Sequence, residues 1–423
     1  MTDDFQNNIR ERVDGGHHAS IVVGTIDESG TQFFSFGKTA FKNGKPADEN
    51  TIYEIGSISK VFTSLVLAEM VDQGDIHLGD PIERHLPKGT KVPSYDGKKI
   101  TIRHLATHAS GLPGMPNNIG LVSNPENPYL AYNEKLMLEF LSTCKLTRAP
   151  GVKYEYSNYA TGLLGYILAS KNKMTYEEMI KTFICEKWKM PNTTISFSEK
   201  QKEKLAIGHT GKAMTSNWDF DALAGAGAIR SNVNDMLGFL SFQMGLKETE
   251  MKSAVEVSQQ LYFTQAGGVA LGWHFHKNQY LWHNGGTGGY RSFTGFDPEK
   301  KRGIVILTNS GSSVDDLGFH WLDGESPLRE VKKLYPVSAK DLEEYVGDYN
   351  LMNVITFTVT SKEDQLLVQL TGQGTNAVFP SEKDKFFYKV VDAQITFKRD
   401  ADGKVNALIL HQNGMDQEAQ RVK

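Results

Sequence analysis

The sequence has little of what would commit it to a disulfide scaffold, a membrane or a nucleic acid. Only two cysteines occur in 423 residues, Cys144 and Cys185, and we expect both to be free thiols because their spacing suits no metal site. No stretch approaches the roughly 18 apolar residues of a transmembrane helix. The net charge of −4 is nearly balanced, and there is no basic block of the kind that holds nucleic acid.

The beginning of the chain also lacks a targeting signal. Residues 1–16 have neither a basic start nor an apolar run, so we expect no signal peptide. The protein is then either cytoplasmic or the mature form of an exported protein, and the sequence does not separate these two cases.

The first three quarters of the chain predict one antiparallel sheet with helices packed on its faces, an α+β fold. β-Branched and aromatic residues predict strands at both ends of this region, and helical periodicity predicts helices between them. A glycine-rich turn leads into one of these helices, with Ser231 or Asn234 as its cap. The predicted strands are 19–26, 32–36 and several within 270–309; the predicted helices are 54–71, 159–171, 175–188 and the end of 223–244.

The composition changes after about residue 330. Apolar and polar residues then alternate around tight turns in roughly seven or eight short strands, which predicts a small β-barrel because closure removes exposed strand edges. We therefore predict two domains, residues 1–330 and 337–423, joined by the linker LREVKKLYPVSAKD. The second domain is expected to fold independently and either to border the active site or to serve stability and assembly.

One predicted helix carries a charge in an apolar segment. In EIGSISKVFTSLVLAEMV, Ser57 and Lys60 lie at positions i and i+3, which places them on one helix face. A serine hydroxyl needs a base to become a nucleophile, and an amine in an apolar environment has a lowered pKa. The pair therefore indicates an activated nucleophile. The alternative is a capping serine beside a lysine that reaches the surface.

Two further motifs are ambiguous when each is taken alone. Tyr156 and Asn158 form Y-x-N at a turn before a helix; a tyrosine beside a lysine can hold a lowered pKa and relay protons, but Y-S-N is also a common turn. His283 is followed by Asn284 and Gly285 at a strand end whose glycines allow a ligand to approach the backbone. That segment is equally compatible with a β-bulge.

The order of the three motifs is more specific than any one of them. S-x-x-K, then Y-x-N about 100 residues later, then H-x-G on a late strand, resembles the serine β-lactamase and penicillin-binding-protein-like superfamily. Its class C-like branch includes class C β-lactamases, D-aminopeptidases, DD-carboxypeptidases and esterases. HLATHASGLP and LAGAGAIRSNVNDMLGFL also resemble family segments, and the resemblance spans roughly residues 10 to 325. The C-terminal strands resemble the lipocalin-like barrels of some D-aminopeptidase-type members.

The resemblance implies a mechanism without cofactor or metal. Ser57 would form an acyl-enzyme with a small-molecule or peptide substrate, while Lys60 and Tyr156 share the acid–base work. The backbone N–H groups of Ser57 and Gly286 would form the oxyanion hole. Asn158 would orient Lys60 and the substrate. An oligomer of identical chains is left open.

The chain departs from the β-lactamase pattern in the third motif. His283 and Asn284 stand where β-lactamases usually have lysine and a hydroxyl residue, the groups that recognise a substrate carboxylate. A histidine is only partly charged near neutral pH. The departure favours an esterase or a D-aminopeptidase over a β-lactamase or a DD-carboxypeptidase.

Two other kinds of function compete with this interpretation. The first is a metal site, because several histidines are closely spaced. The H-x-x-x-H pattern of HLATH, however, lacks the glutamate of the zincin motif. The second is a non-catalytic penicillin-binding sensor or scaffold, which the presence of Ser57, Lys60 and Tyr156 disfavours. The histidines considered as metal ligands are His104, His108, His274, His276 and His283.

Overall fold

The computed structural model describes residues 1–330, 334–351, 355–362, 364–371, 374–388, 391, 393–412 and 414–422. Within them the chain divides into two compact units. The first consists of residues 1–13 and 18–329, and the second of residues 14–17 and 330–423. Residues 331–333, in the middle of the predicted linker, lie outside the described residues.

The first unit is an α+β fold with ten α-helices and twelve strands among its described residues. The helices are α1 Asp3–Asp14, α2 Ser59–Asp72, α3 Ile102–Ala106, α4 Glu134–Thr143, α5 Asn158–Asn172, α6 Tyr176–Ile180, α7 Glu199–Lys202, α8 Val233–Gln243, α9 Lys252–Gln259 and α10 Asp315–Asp323. The strands are β1 Ser20–Asp27, β2 Gly30–Gly37, β3 Tyr53–Glu54, β4 Ser94–Tyr95, β5 Lys98–Lys99, β6 His209–Thr210, β7 Ala213–Met214, β8 Arg230–Ser231, β9 His274–His276, β10 Tyr280–Gly286, β11 Arg291–Asp297 and β12 Arg302–Thr308.

A six-stranded antiparallel sheet is the framework of this unit, in the order β2-β1-β12-β11-β10-β9. Its central strands are buried on both faces, because alternate side chains of a strand point to opposite sides. Val22 and Leu307 belong to the core that α2, α5 and α8 form on one face. Ile21 and Ile306 belong to a second core, with residues of α1 and α10, on the other face. The predicted sheet with helices on both faces is confirmed.

Helix α2 crosses the larger core and is buried on every side. All residues from Ser59 to Met70 are buried, so the helix has no solvent-facing side, and even polar residues such as Lys60 and Glu69 lie inside. No helix in the described part of the chain is long and apolar enough to cross a membrane.

Several predicted boundaries are wrong in detail. The segment 54–71 is a strand end at Glu54, a 3₁₀ turn Gly56–Ile58 and then α2, because Gly56 breaks the helical backbone. Asn232 caps α8 by accepting a hydrogen bond from Asp235 N, so neither Ser231 nor Asn234 is the cap. The predicted helix 175–188 is α6 followed by a π-helical turn, Lys181–Cys185.

The second unit is a closed antiparallel barrel of eight strands, and the prediction of a barrel is confirmed. Its interior is filled by apolar and aromatic side chains, including Tyr349, Phe357, Phe386 and Phe397, as period-2 alternation requires. A short helix, α11 Ala339–Leu342, precedes the strands. The strands are β13 Gly347–Leu351, β14 Ile355–Lys362, β15 Gln365–Leu370, β16 Thr375–Glu382, β17 Lys385–Tyr388, β18 Ala393–Arg399, β19 Val405–Gln412 and β20 Met415–Arg421.

Candidate active site

The turn between β3 and α2 presents Ser57. Gly56 has φ of +51°, a left-handed conformation that side chains disfavour. A Cβ atom at this position would also lie only 2.6 Å from the backbone nitrogen of Gly286. Ser57 is the one residue between 51 and 70 that is not buried. The tight turn therefore brings a single hydroxyl out of an otherwise closed segment.

Lys60 lies behind this hydroxyl in a dry environment. Its Nζ donates hydrogen bonds to Ser57 Oγ at 2.9 Å and to the Ala226 carbonyl oxygen at 2.6 Å. The side chain is fully buried, and no carboxylate among the described residues forms an ion pair with it. Burial holds the pKa of Lys60 well below its ordinary value of 10.5. Burial therefore favours the neutral form of this amine, which is the form that can accept a proton.

The third residue of the site is Tyr156, which lies two residues before the first residue of α5. Lys60 Nζ lies 4.9 Å from the centroid of the Tyr156 ring, over its face. Burial raises the pKa of Tyr156 above its ordinary value of 10.0, although a hydrogen bond with Ser57 opposes part of the rise. The expectation of a lowered tyrosine pKa is therefore wrong. Tyr156 keeps its proton near neutral pH and can donate it.

Strand β10 lies directly against the nucleophile turn. A Cβ atom on Gly285 would lie 2.0 Å from the carbonyl oxygen of Ile55 and 2.4 Å from Ser292 Oγ, so only glycine permits this approach. Ser292 Oγ donates to the same Ile55 oxygen at 2.8 Å. This close approach places Gly286 beside Gly56, the residue before Ser57. An oxyanion hole formed by the backbone N–H groups of Ser57 and Gly286 would require this proximity.

Two predicted substrate residues point elsewhere. Asn158 Nδ2 donates to Met115 Sδ at 3.6 Å, and Lys60 is oriented by Ala226 instead, so no hydrogen bond joins Asn158 to Lys60, although one was expected. Asn284 Nδ2 donates to Asp315 Oδ2 at 2.7 Å. Because β10 alternates, Asn284 faces α10 while its neighbour His283 faces the core that contains Lys60.

Three histidines meet beside Tyr156: His274 and His283 from the paired strands β9 and β10, and His108 from a distant part of the chain. The ring of His274 lies 5.1 Å from that of His283 and 6.3 Å from that of His108, between centroids. The ring of His108 lies 4.4 Å from that of Tyr156. His283 is fully buried, and burial holds its pKa well below 6.5. His283 is therefore uncharged near neutral pH.

The other two histidines considered as metal ligands lie apart from this cluster. His104 accepts a hydrogen bond from Thr101 N at 3.1 Å in the capping box of α3, and His276 bonds Asp323 at 2.9 Å. Within the described ranges, no group of three or more His, Cys, Asp or Glu side chains has the geometry to hold a metal ion. Both cysteines are free thiols.

Three half-buried aromatic side chains form a surface near Tyr156 that periodicity and motif order did not reveal. Tyr129 stacks on Phe220 with 4.4 Å between ring centroids and lies 5.3 Å from the ring of Trp218. A Cβ atom on Gly288, in the hairpin that follows β10, would lie 2.8 Å from Trp218 Nε1. The aromatic surface, defined by Tyr129, Trp218 and Phe220, therefore adjoins the end of the strand that carries Gly286.

This arrangement of fold and side chains is that of a serine hydrolase, and comparison with known families agrees. The family profile described as Beta-lactamase matches residues 5–323, well over half of the chain, so the chain belongs to the beta-lactamase family. This is a family of serine hydrolases of the β-lactamase and carboxypeptidase type. A second profile, described as a domain of unknown function (DUF3471), matches residues 332–423.

Individual relatives come from bacteria. The chain is 28% identical over 344 residues to the D-alanyl-D-alanine-carboxypeptidase/endopeptidase AmpH of Escherichia coli (strain K12), covering 74% of this chain and 87% of that protein. It is 24% identical over 426 residues to penicillin-binding protein 4* of Bacillus subtilis (strain 168), covering 92% of each. A solved β-lactamase/D-alanine carboxypeptidase from Yersinia pestis, complexed with citrate, superposes with a TM-score of 0.64 at 25% identity, covering 73% of this chain and 92% of that one.

Proposed function

We propose that the protein hydrolyses amide or ester bonds through an acyl-enzyme on Ser57. The observation that supports this most directly is the 2.9 Å contact between Ser57 Oγ and the Nζ of Lys60, a buried amine without a counter-ion among the described residues. Neutral Lys60 takes the hydroxyl proton as Ser57 attacks the carbonyl carbon. The backbone N–H groups of Ser57 and Gly286 receive the negative charge that develops on the carbonyl oxygen.

Tyr156 acts as the proton donor when the tetrahedral intermediate breaks down. Its raised pKa keeps the phenol protonated near neutral pH, so it can pass a proton to the leaving group as the tetrahedral intermediate breaks down. Water then attacks the acyl-enzyme, with the same groups acting in reverse. Because Lys60 and Tyr156 are in contact, their proton transfers are coupled and belong to the pair.

We further propose that the preferred substrates are short-chain esters or amides of D-amino acids rather than penicillins. Recognition of a substrate carboxylate needs a cation or a free hydroxyl at the third motif. His283 is buried and uncharged, and the Asn284 amide donates to Asp315. The half-buried aromatic surface of Tyr129, Trp218 and Phe220 suits an apolar acyl group.

A second candidate function, peptidase or β-lactamase activity on substrates with a free carboxylate, is favoured by one observation. The guanidinium of Arg291 lies beside the strand end, where a Cβ atom on Gly286 would be 2.6 Å from Nη1. Nη1 donates to the carbonyls of Thr287 and Tyr290, while Nε and Nη2 have no partner among the described residues. A guanidinium with two free donors can bind a carboxylate. The names of the relatives from E. coli and Y. pestis agree with this candidate.

A matched pair of substrates separates the two candidates. One D-amino-acid dipeptide is assayed with a free C-terminal carboxylate and as its amide, alongside nitrophenyl esters and a chromogenic cephalosporin. We expect kcat/KM for the amide and the esters to exceed that for the free acid and the cephalosporin. A clear preference for the free acid, lost in Arg291→Gln, would establish the second candidate.

Labelling of Ser57 separates both enzymes from a sensor. A fluorophosphonate should modify Ser57 and stop ester turnover. Stable labelling by a penicillin without turnover of any substrate would instead indicate the non-catalytic function.

A further inference from the structure

The histidine cluster of His108, His274 and His283 surrounds the proposed base from three separate elements. His108 follows α3, His274 begins the edge strand β9, and His283 lies on β10. The rings of His274 and His283 lie 6.5 and 6.3 Å from that of Tyr156, whose face Lys60 Nζ approaches to 4.9 Å. All three histidine side chains are at most 9% exposed. The cluster is therefore packed against the hydrolytic group itself.

No negatively charged side chain among the described residues lies beside Lys60. The titratable groups that face Lys60 are Tyr156 before α5 and the three histidines; within the described residues, no carboxylate is among them. Burial lowers the pKa of His274 to about 4, and burial also holds the pKa values of His108 and His283 well below 6.5. Near neutral pH the three rings are therefore neutral.

Hydrogen bonds fix two of the three tautomers. His108 Nδ1 accepts from Ser157 N at 3.1 Å, and His283 Nδ1 donates to the Asn284 carbonyl at 2.6 Å. Within the described part of the chain, neither ring nitrogen of His274 has a hydrogen-bond partner. Its ring is held by contacts with the other two rings and with Trp282, at 5.4 Å between centroids. His274 can therefore be replaced without leaving a backbone group unpaired.

We propose that His274 is a positioning residue of the hydrolase. Together with His108 and His283, it surrounds Lys60 and Tyr156 with uncharged imidazole rings, and so favours the neutral amine form of Lys60 that activates Ser57. This inference rests on the proposed Ser57 acyl-enzyme. An acidic side chain in the same place would stabilise the ammonium form by Coulomb attraction, and an ammonium cannot accept the Ser57 proton. With only uncharged imidazole rings around it, Lys60 can act as the base, and no histidine has to act as a base.

The test compares His274→Gln with His274→Glu, which differ in charge at nearly equal size. The acid limb of the pH profile of kcat/KM reports the protonation of the base in the free enzyme. We expect the glutamine variant to keep the wild-type limb and the glutamate variant to move it upward by about one pH unit. Below the limb, the glutamate variant would then be about tenfold slower than the glutamine variant, and the two would converge at high pH. Coincident limbs for the two variants would overturn the proposal.

A measurement on the wild-type protein keeps the proposal falsifiable if the glutamate variant does not fold. With ¹⁵N-labelled histidine, we expect neutral-tautomer signals for His108, His274 and His283 at pH 6. An imidazolium signal from His274 at that pH would overturn the inference.

Failure of the proposed function has a different signature from failure of this inference. If fluorophosphonate leaves Ser57 unmodified in the wild type, the hydrolase proposal fails and the inference with it. If Ser57 is labelled in the wild type and both variants, while their acid limbs coincide, the hydrolase stands and only the role of His274 is wrong.

Discussion

The two units of the chain bury different kinds of side chain. In the described ranges, every buried polar or charged side chain lies in the first unit, between Arg12 and Ser310. The buried side chains of the barrel, from Leu342 to Ala419, are all apolar or aromatic. Burying a polar group without full pairing costs stability, so packing alone gives no reason to do it. The comparison teaches that the barrel is explained by packing, whereas the polar interior of the first unit includes structural hydrogen bonds, such as the Asn232 cap of α8, and the group around Lys60 that packing does not explain.

The contrast is sharpest at Lys60. Lys60 is fully buried and has no ion pair among the described residues, so its charged form would be very costly and its neutral form is favoured. A protein tolerates such local cost mainly at functional sites. Each of the following predictions tests whether catalysis depends on the first unit while the barrel is explained by packing alone.

The largest effect is expected from Ser57→Ala. Loss of the nucleophile should lower kcat on a nitrophenyl ester by about a millionfold, while the melting temperature stays nearly unchanged. Ser361→Ala in the barrel is the matched control and should affect neither quantity. Fluorophosphonate labelling that persists in Ser57→Ala, at another serine, would contradict the assignment.

The next largest effect concerns the coupled pair. Lys60→Met and Tyr156→Phe should each lower kcat by about a thousandfold, and the double variant should be little slower than either, since groups that act as one unit are non-additive. Lys60→Met should also leave the protein at least as stable, because it removes a desolvated amine. Losses that multiply in the double variant would show that the two residues serve separate steps.

Acid should destabilise the first unit selectively. In the folded state the pKa of His274 is about 4, below its ordinary 6.5, so between these values the unfolded chain binds more protons. Stability that is present above pH 6.5 is therefore lost as the pH falls to 4, by on the order of 3 kcal/mol from this residue. His108 and His283 act in the same direction.

Tryptophan fluorescence can follow this acid effect in the first unit alone. All five tryptophans of the chain lie in the first unit: Trp188, Trp218, Trp273, Trp282 and Trp321. The melting temperature read from fluorescence should fall between pH 7 and pH 4.5 more than a circular-dichroism transition of the barrel. Equal shifts in both signals would contradict the contrast between the units.

His283→Lys should change substrate preference rather than overall rate. A cation at this position restores a group that attracts a substrate carboxylate, so kcat/KM for the free-acid dipeptide relative to its amide should rise by about tenfold. The mutation also places two amines near each other, and some loss of kcat is expected. An unchanged ratio, with the protein folded, would show that this position does not select substrates.

The smallest effect is expected from removing the barrel. A chain that ends near Leu334 should keep kcat/KM for a small ester within about twofold, because each unit has its own core. An equal change for small and bulky substrates would assign the barrel to stability or assembly, and a selective loss or gain with bulky substrates would assign it to substrate selection. A truncated protein that does not fold would refute the prediction of independent domains with boundaries at 330 and 337.

The sequence predicted the architecture well where patterns are local. β-Branched and aromatic residues in 19–26 and 32–36 identified β1 and β2, and continuous apolarity identified most of α2. Alternation also predicted the barrel. Boundaries were missed where a single backbone angle decides them, as at Gly56, or where a neighbouring residue caps the helix, as Asn232 does for α8.

By itself, the sequence determined which residues can do the chemistry. Ser57 and Lys60 are one helical turn apart, so local geometry nearly ensures their contact. The order of the three motifs was specific enough to indicate the family before any distance was known.

Only the tertiary structure decided how those residues are charged and oriented. The carbonyl that holds Lys60 belongs to Ala226, 166 residues away, and Asn158 turns to Met115 instead. His274 and His283 are close because β9 and β10 pair as consecutive strands, but only the tertiary structure brings His108 to them. A pKa depends on burial and on every neighbouring charge, and these are properties of the packed interior, not of a motif. For that reason burial raises the pKa of Tyr156, where a lowered pKa was expected, and lowers the pKa of Lys60.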